Sequence, residues 1–159
     1  MFKKILVPLD GSDLAAKILP QVIDLAKAGK AQVTLLHVCY TADVGEATPA
    51  VIKKAAEREA KWCATFLGKA AQDLKAKGVE AKSECVEGVP AREIIGYADK
   101  KKMDLIAMAT HGKGEVAWVL GSTAEKVVSH ATVPVLLFRV MEFKPPALKE
   151  VYFATPGVG

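Results

Sequence analysis

The sequence predicts an α/β fold, with a five-stranded, parallel, doubly wound sheet and helices on both of its faces. Three observations predict it. Apolar runs alternate with amphipathic helical stretches five times along the chain, the order that a parallel sheet with crossover helices requires. Most of the runs, such as "KILV" and "VTLLHV", are apolar without in–out alternation, so they suit strands covered on both faces. Glycine or proline stands at most of the junctions. Crossovers in such sheets are right-handed. The 159 residues, 51% of them hydrophobic, suit one domain that buries about 70% of its unfolded surface.

Ile5 to Val7 form the first strand, stopped by Pro8 and Gly11. Ser12 or Asp13 then caps a helix to about Ala28, with Leu14, Ile18, Leu19, Val22, Ile23 and Leu25 as its apolar positions. Pro20 lies inside that span and should kink the helix or shift its start; Gly29 ends it. "QVTLLHVCY" is the second strand, rich in β-branched and aliphatic residues. A polar linker with Gly45 leads to a long helix from about Pro49 to Lys77. Ile52, Ala56, Lys61, Cys63, Phe66, Leu67 and Leu74 trace its apolar stripe, and Gly78 stops it. "VEAKSECVEG" alternates apolar and polar residues, as a half-exposed strand at a sheet edge does. "VPAREIIGYADKKK" is a short helix with Pro90 near its first turn, where a missing N–H costs nothing. "MDLIAMAT" is the fourth strand, "STAEKVVSHA" the last helix and "VPVLLFRV" the fifth strand. The domain is expected over residues 1–140. Residues 141–159, with three prolines and two glycines, read as an arm that is irregular or partly disordered.

Charge and cysteine content exclude several classes. A net charge of +4 is modest and no basic arm exists, so no nucleic-acid partner is expected. The three cysteines, Cys39, Cys63 and Cys85, are far apart and form no C-x-x-C pair; they read as buried thiols in a reducing compartment. The apolar run before Pro8 is too short for a signal peptide, and no segment approaches the ~20 apolar residues of a membrane span. The expectation is a cytoplasmic protein with no membrane partner.

Ligands of doubly wound sheets bind at the C-terminal ends of strands, at the switch point. Three segments leave strands there with unusual residues: "PLDGS", "HV" and "ATHGKG". The stretch "THGKGEVAWVLGST" has the chemistry of a phosphate cradle, yet it is not a P-loop, in which lysine follows the last glycine. Gly121 and Ser122 open a helix whose N–H groups and dipole attract phosphate, and Ser122 and Thr123 add hydroxyls. The plainer alternative is a serine N-cap. Gly112 and Gly114 allow close backbone approach, and His111 and Lys113 either contact phosphate or are solvated. Asp10 either accepts from a ribose hydroxyl or an adenine amine, or caps the first helix. His37 and Cys39 share one strand face, but two ligands make no metal site and no third has obvious spacing, so no metal is expected. His130 suits the negative end of the last helix. No nucleophile–base pair and no G-x-S-x-G elbow is present, so no catalytic residue is assigned. Trp62 and Trp118 read as packing residues.

Together, "ILVPLDGS", "LLHV", "GVPAREII", "DLIAMATHGKG" and "LGSTAEKVVSHATVPVLLFR" resemble the universal stress protein family, single-domain type, from Lys4 to Arg139. The resemblance implies a Rossmann-like, adenine-nucleotide-binding fold with strand order 3-2-1-4-5. One branch of that family binds ATP through Gly-x-x-Gly-x9-Gly-Ser/Thr; the other lacks the pattern and does not bind ATP. Gly112 stands at the second glycine, and Gly121 and Ser122 at the final pair. Ala109 replaces the first glycine, and eight residues separate Gly112 from Gly121 where the pattern has nine. By the same resemblance, Pro8, Leu9 and Asp10 meet the adenine and ribose, and Val38 reads the adenine edge through its backbone. Met108 and His111 line the pocket, and Thr123 and Ala124 follow the Gly-Ser pair.

The resemblance implies a cytoplasmic stress-response protein that binds ATP, or ADP or AMP, as a sensor or regulator. Mg²⁺ would be bound mainly by the phosphates. Hydrolysis would be slow at most, because no general base is placed. One competing reading is a dimeric interaction module from the branch without nucleotide. Another is an adenylating enzyme of the ATP-pyrophosphatase type, which needs Ser-Gly-Gly-x-Asp-Ser after the first strand; "PLDGSD" is not that loop. A homodimer is expected through Val133 to Val140, since a long bare apolar edge aggregates.

Overall fold

The computed structural model describes residues 1–40, 47–112 and 119–141. Gly45, Lys113, Gly114, Trp118 and the expected arm from residue 142 onward lie outside the described residues. The strands are β1 (Lys4–Pro8), β2 (Gln32–Cys39), β3 (Ala81–Glu87), β4 (Leu105–Ala109) and β5 (Val135–Phe138). The helices are α1 (Asp13–Ala16), α2 (Leu19–Gly29), α3 (Pro49–Ala76), α4 (Pro90–Lys100) and α5 (Ser122–His130). The sheet has the order β3-β2-β1-β4-β5, and every pairing is parallel. This is the expected doubly wound order, with the alternating strand β3 at one edge.

Side-chain alternation along the strands divides the core between two faces. Ile5, Val7, Val33, Leu35, Leu105 and Ala107 pack against Ile18, Val22, Leu67 and Leu74 of the α1–α3 side. Leu6, Leu36, Ile106 and Met108 pack against Ile94, Tyr97, Ala124 and Val127 of α4 and α5. With both faces covered, the strands gain nothing from polar alternation, so their sequences read as continuous apolar runs.

Two helices depart from their sequence reading. The first expected helix is two: α1 ends at Ala16 and α2 restarts at Leu19, with Pro20 in its first turn. Pro20 thus shifts a helix start, because its ring is tolerated only where no i−4 carbonyl precedes it. The left-handed C-cap of α2 is Lys30, with φ 50°, and not Gly29. Glycine at 29 answers to space: a Cβ there would lie 2.7 Å from the Phe2 carbonyl oxygen. The stripe of α3 is shorter than its periodicity suggests. Cys63, Leu67, Ala71 and Leu74 are buried, whereas Ile52 is 40% exposed and Ala56 and Lys61 face solvent. The 28 residues of α3 span about 42 Å, while the longest strand, of eight residues, spans about 26 Å. The sheet cannot cover the whole helix, and its N-terminal part overhangs.

Candidate functional site

β1 lies between β2 and β4, so the chain's winding reverses at the C-terminal end of β1. A cavity of about 230 Å³ opens at this switch point, where such sheets bind ligands. Pro8, Leu9 and Asp10 enter it from β1, Val38 from β2, and Met108, Ala109, His111 and Gly112 from β4 and the following loop. Thr123 and Ala124 enter it from the first turn of α5. The three segments that leave strands with unusual residues therefore converge. The cavity also takes in Ala15, Leu36, His37, Thr110, Pro90 and Ile94, none of which the glycine-loop pattern marks.

Gly121 and Ser122 are placed differently, since neither lines the cavity. Gly121 is the N-cap of α5 and its N–H donates to the Thr110 carbonyl at 2.9 Å. The expected alternative of a serine cap does not hold: Ser122 is already helical, and the N-cap position is Gly121, which has no side chain. The backbone of Gly121, with φ −54° and ψ 144°, suits any residue.

Backbone pairing explains why Val38 matters. The Leu9 N–H donates to the Leu36 carbonyl at 2.9 Å, which is the last rung between β1 and β2. Backbone groups alternate sides along a strand. Those of Val38, two residues on, turn toward β1 beyond that rung and so toward the cavity. The Leu9 carbonyl accepts from His37 Nδ1 at 2.8 Å instead.

Asp10 does not cap α1 itself but holds the residue that does. Its Oδ1 accepts from the Ser12 N–H at 2.9 Å and from the Ser12 hydroxyl, and Ser12 Oγ in turn accepts from the Ala15 N–H at 3.1 Å. Ser12 is the N-cap of α1. Between them, Gly11 has φ +85°, and an added Cβ would run into the Trp62 ring. The Trp62 ring stacks on Phe66 at 5.3 Å and meets His37 edge-on at 5.2 Å. So α3 presses an aromatic side chain on the turn that carries Asp10. Trp62 is a packing residue, as expected.

His111 is neither a solvated residue nor a free phosphate contact. It is buried, its Nδ1 meets the Thr110 hydroxyl at 2.8 Å, and its Nε2 meets the Val119 carbonyl. A carbonyl only accepts, so Nε2 carries the proton and Nδ1 accepts from Thr110. The ring ties the two ends of the glycine loop together.

The sequence model of the Universal stress protein family matches residues 1–139. The chain belongs to the universal stress protein family. It is 36% identical over 147 residues to "Universal stress protein MJ0531" of Methanocaldococcus jannaschii, covering 87% of this chain and 83% of that one. It is 34% identical over 148 residues to "Universal stress protein YxiE" of Bacillus subtilis, covering 87% of this chain and all of that one. Universal stress protein UspA from Lactobacillus plantarum has a similar structure, with TM-score 0.76 and 29% identity over 87% of this chain and 98% of that one. The same fold occurs in the Archaeoglobus fulgidus universal stress protein in complex with dAMP, at 22% identity and TM-score 0.59, covering 86% of this chain and 97% of that one. It also occurs in an Arabidopsis thaliana family protein with AMP bound, at 16% identity and TM-score 0.66, covering 87% of this chain and 92% of that one.

This universal stress protein carries a second polar cluster beside the cleft. His37 and Cys39 share the face of β2 that α3 covers. The third group that sequence spacing does not reveal is Glu59 of α3, 3.7 Å from His37 Nε2. Burial first, then the Glu59 carboxylate and finally Glu87, push the Cys39 thiol above its ordinary range.

The expectation of three buried thiols is corrected by the same face. Cys63 and Cys85 are joined in a disulfide with a Cα–Cα distance of 6.4 Å, and Cys85 is exposed. Only Cys39 is free, and it is buried. The pairing follows from the crossover: α3 lies across β3, so residues 22 apart in sequence meet in space. Linear spacing carries no sign of this.

Proposed function

We propose that this universal stress protein binds an adenine nucleotide, ATP foremost, and acts as a stress-response sensor or regulator in the cytoplasm. The observation that carries the reading is the cavity at the ends of β1, β2 and β4, with the first turn of α5 on its rim. The Val38 backbone is turned to read an adenine edge, and Asp10 lies where a ribose would sit. The first turn of α5 supplies N–H groups and a positive dipole end for phosphate. The complexes of two family members with dAMP and AMP support an adenine nucleotide as the ligand class.

The residues present hold and orient a nucleotide rather than attack it. Among the described residues, Asp10 is the carboxylate that lines the cavity, and it is engaged by Ser12. Mg²⁺ would therefore be held mainly by the nucleotide's phosphates, whose charge it offsets. With no general base placed among the described residues, we propose that hydrolysis is slow at most. We take residues 1–140 as the nucleotide-binding domain.

The test is direct binding of ATP, ADP and AMP to protein first stripped of nucleotide, with mass spectrometry of what the untreated protein releases on denaturation. Binding of an adenine nucleotide is expected. No binding of any of the three at millimolar concentration would overturn the reading.

A second reading, a homodimeric interaction module, is favoured by β5. That strand ends the sheet, carries no charge over Val135–Phe138, and leaves Leu136 37% exposed. Leu137 packs into the α4–α5 side of the core, so Leu136→Lys is the cleaner variant. Light scattering should show a dimer for the wild type and a monomer for Leu136→Lys. A monomeric wild type would remove this reading.

A further inference from the structure

We propose that His37, Cys39 and Glu59 form a binding site for a zinc-class divalent cation. One nitrogen, one sulfur and one carboxylate oxygen from these residues lie within 4.8 Å of one another. Ligand atoms on a tetrahedral zinc ion lie about 3.5 Å apart. The Glu59 oxygen is already 3.7 Å from His37 Nε2, so the remaining adjustment involves Cys39, whose sulfur turns about a single side-chain torsion.

The histidine is already arranged as a ligand. It is 6% exposed, and Nδ1 donates to the Leu9 carbonyl at 2.8 Å. That bond leaves the proton on Nδ1 and a lone pair on Nε2, as in most metal-bound histidines. Nε2 is buried and has no hydrogen-bond partner, and 3.7 Å to Glu59 is too long for one. A buried acceptor without a donor is uncommon and unfavourable. A cation seated between Nε2, the Cys39 sulfur and Glu59 would satisfy it. The Trp62 ring holds the imidazole edge-on, fixing its direction.

Charge and ligand type select the ion. A thiolate, a carboxylate and a neutral imidazole balance a divalent cation, so a buried complex would be neutral overall. Calcium and magnesium prefer oxygen ligands, whereas the mixed sulfur, nitrogen and oxygen set suits zinc. Three protein ligands leave the fourth position open on the exposed side of Glu59. The site does not use the nucleotide, although the Leu9 carbonyl joins its second shell to the cleft.

The test uses full-length protein, chelator-stripped and without reductant, so that the Cys63–Cys85 bond is kept. It is titrated with Co²⁺ as a spectroscopic probe and then with Zn²⁺. One equivalent of Co²⁺ should give tetrahedral visible bands and a thiolate-to-cobalt charge-transfer band, and Zn²⁺ should displace it. Cys39→Ser should remove the charge-transfer band. Glu59→Gln, at a half-exposed helix position that does not threaten the fold, should weaken affinity at least about tenfold. No Co²⁺ spectrum at millimolar metal, or wild-type binding by both variants, would overturn the proposal. No nucleotide is present, so failure here leaves the nucleotide reading intact.

Discussion

His111 Nε2 donates to the carbonyl of Val119, eight residues further along the chain. The two residues bracket the shortened glycine loop, so one imidazole sets the distance between its ends.

His111→Ala should therefore lower stability and weaken nucleotide binding together. It removes two part-buried hydrogen bonds, to the Val119 carbonyl and the Thr110 hydroxyl, together worth about 1–3 kcal/mol. For a domain of this size that is a fall in Tm of roughly 2–12 °C. Calorimetry with and without ATP checks both effects. An unchanged Tm would mean that the ring does not close the loop.

Saturating Mg-ATP should stabilise the protein by about 2.7 kcal/mol at a hundred times its Kd, raising Tm by roughly 5–10 °C. Gly121→Asp should abolish the rise while leaving the free protein folded. Aspartate is a good N-cap and the backbone at 121 accepts any residue, but its charge repels phosphate. Asp10→Ala must be read by Kd instead. It removes the bonds to Ser12 and should lower the Tm of the free protein on its own account.

Gly11→Ala should destabilise by more than about 2 kcal/mol, since a positive φ and the Trp62 ring both exclude a Cβ. In the double variant with Trp62→Ala the steric part should vanish. Denaturant titration of the cycle should show at least about 0.5 kcal/mol of coupling. Additive effects would show that the ring is not the obstacle.

Thiol titration of the unfolded, unreduced protein should count one thiol of the three cysteines. Closing a loop of this length restricts the unfolded chain by about 3 kcal/mol. Cys85→Ser should lower stability by about that much, and reductant should do the same to the wild type. Three free thiols would restore the original expectation.

Burial first, then the nearby Glu84 carboxylate, hold the Tyr97 phenol well above its ordinary range. The folded state then keeps a proton that the unfolded chain loses as pH passes about 10. Stability should fall with rising pH from there upward, because the native state binds more protons than the unfolded one. Tyr97→Phe should flatten that alkaline fall. Denaturant midpoints measured from pH 8 to 11 decide it.

Much of the fold was legible because both sheet faces are covered. A strand such as Val33 to Cys39 is then mostly apolar, with only Thr34 and His37 polar, and its meaning survives without context. The family resemblance, rather than the glycine-loop pattern alone, led to most of the cleft, since strand ends at a switch point are local in sequence. What stayed hidden is what the α3 crossover brings together. Glu59 is one charged residue in a charged helix, and nothing local aims it at His37. Cys63 and Cys85 are ordinary core and edge residues until α3 lies across β3. His111 looks solvated because glycines surround it, and only the fold shows that Val119 returns to meet it. Ile52 fits a helical stripe, but period alone does not say how long the sheet beneath it is.

The disulfide between α3 and β3 also bears on how copies of this chain could meet. An edge strand is the element most easily traded between neighbouring molecules. β3 cannot be exchanged by itself, because Cys85 is bonded to its own helix. Its outer residues include Lys82 and Glu84, paired at 3.8 Å, and Glu87, which discourage a foreign strand from docking. β5 has neither a covalent tether nor a charge along Val135–Phe138. The two ends of one sheet are thus unequal: one is locked against swapping, and any growth of the sheet is left to the other.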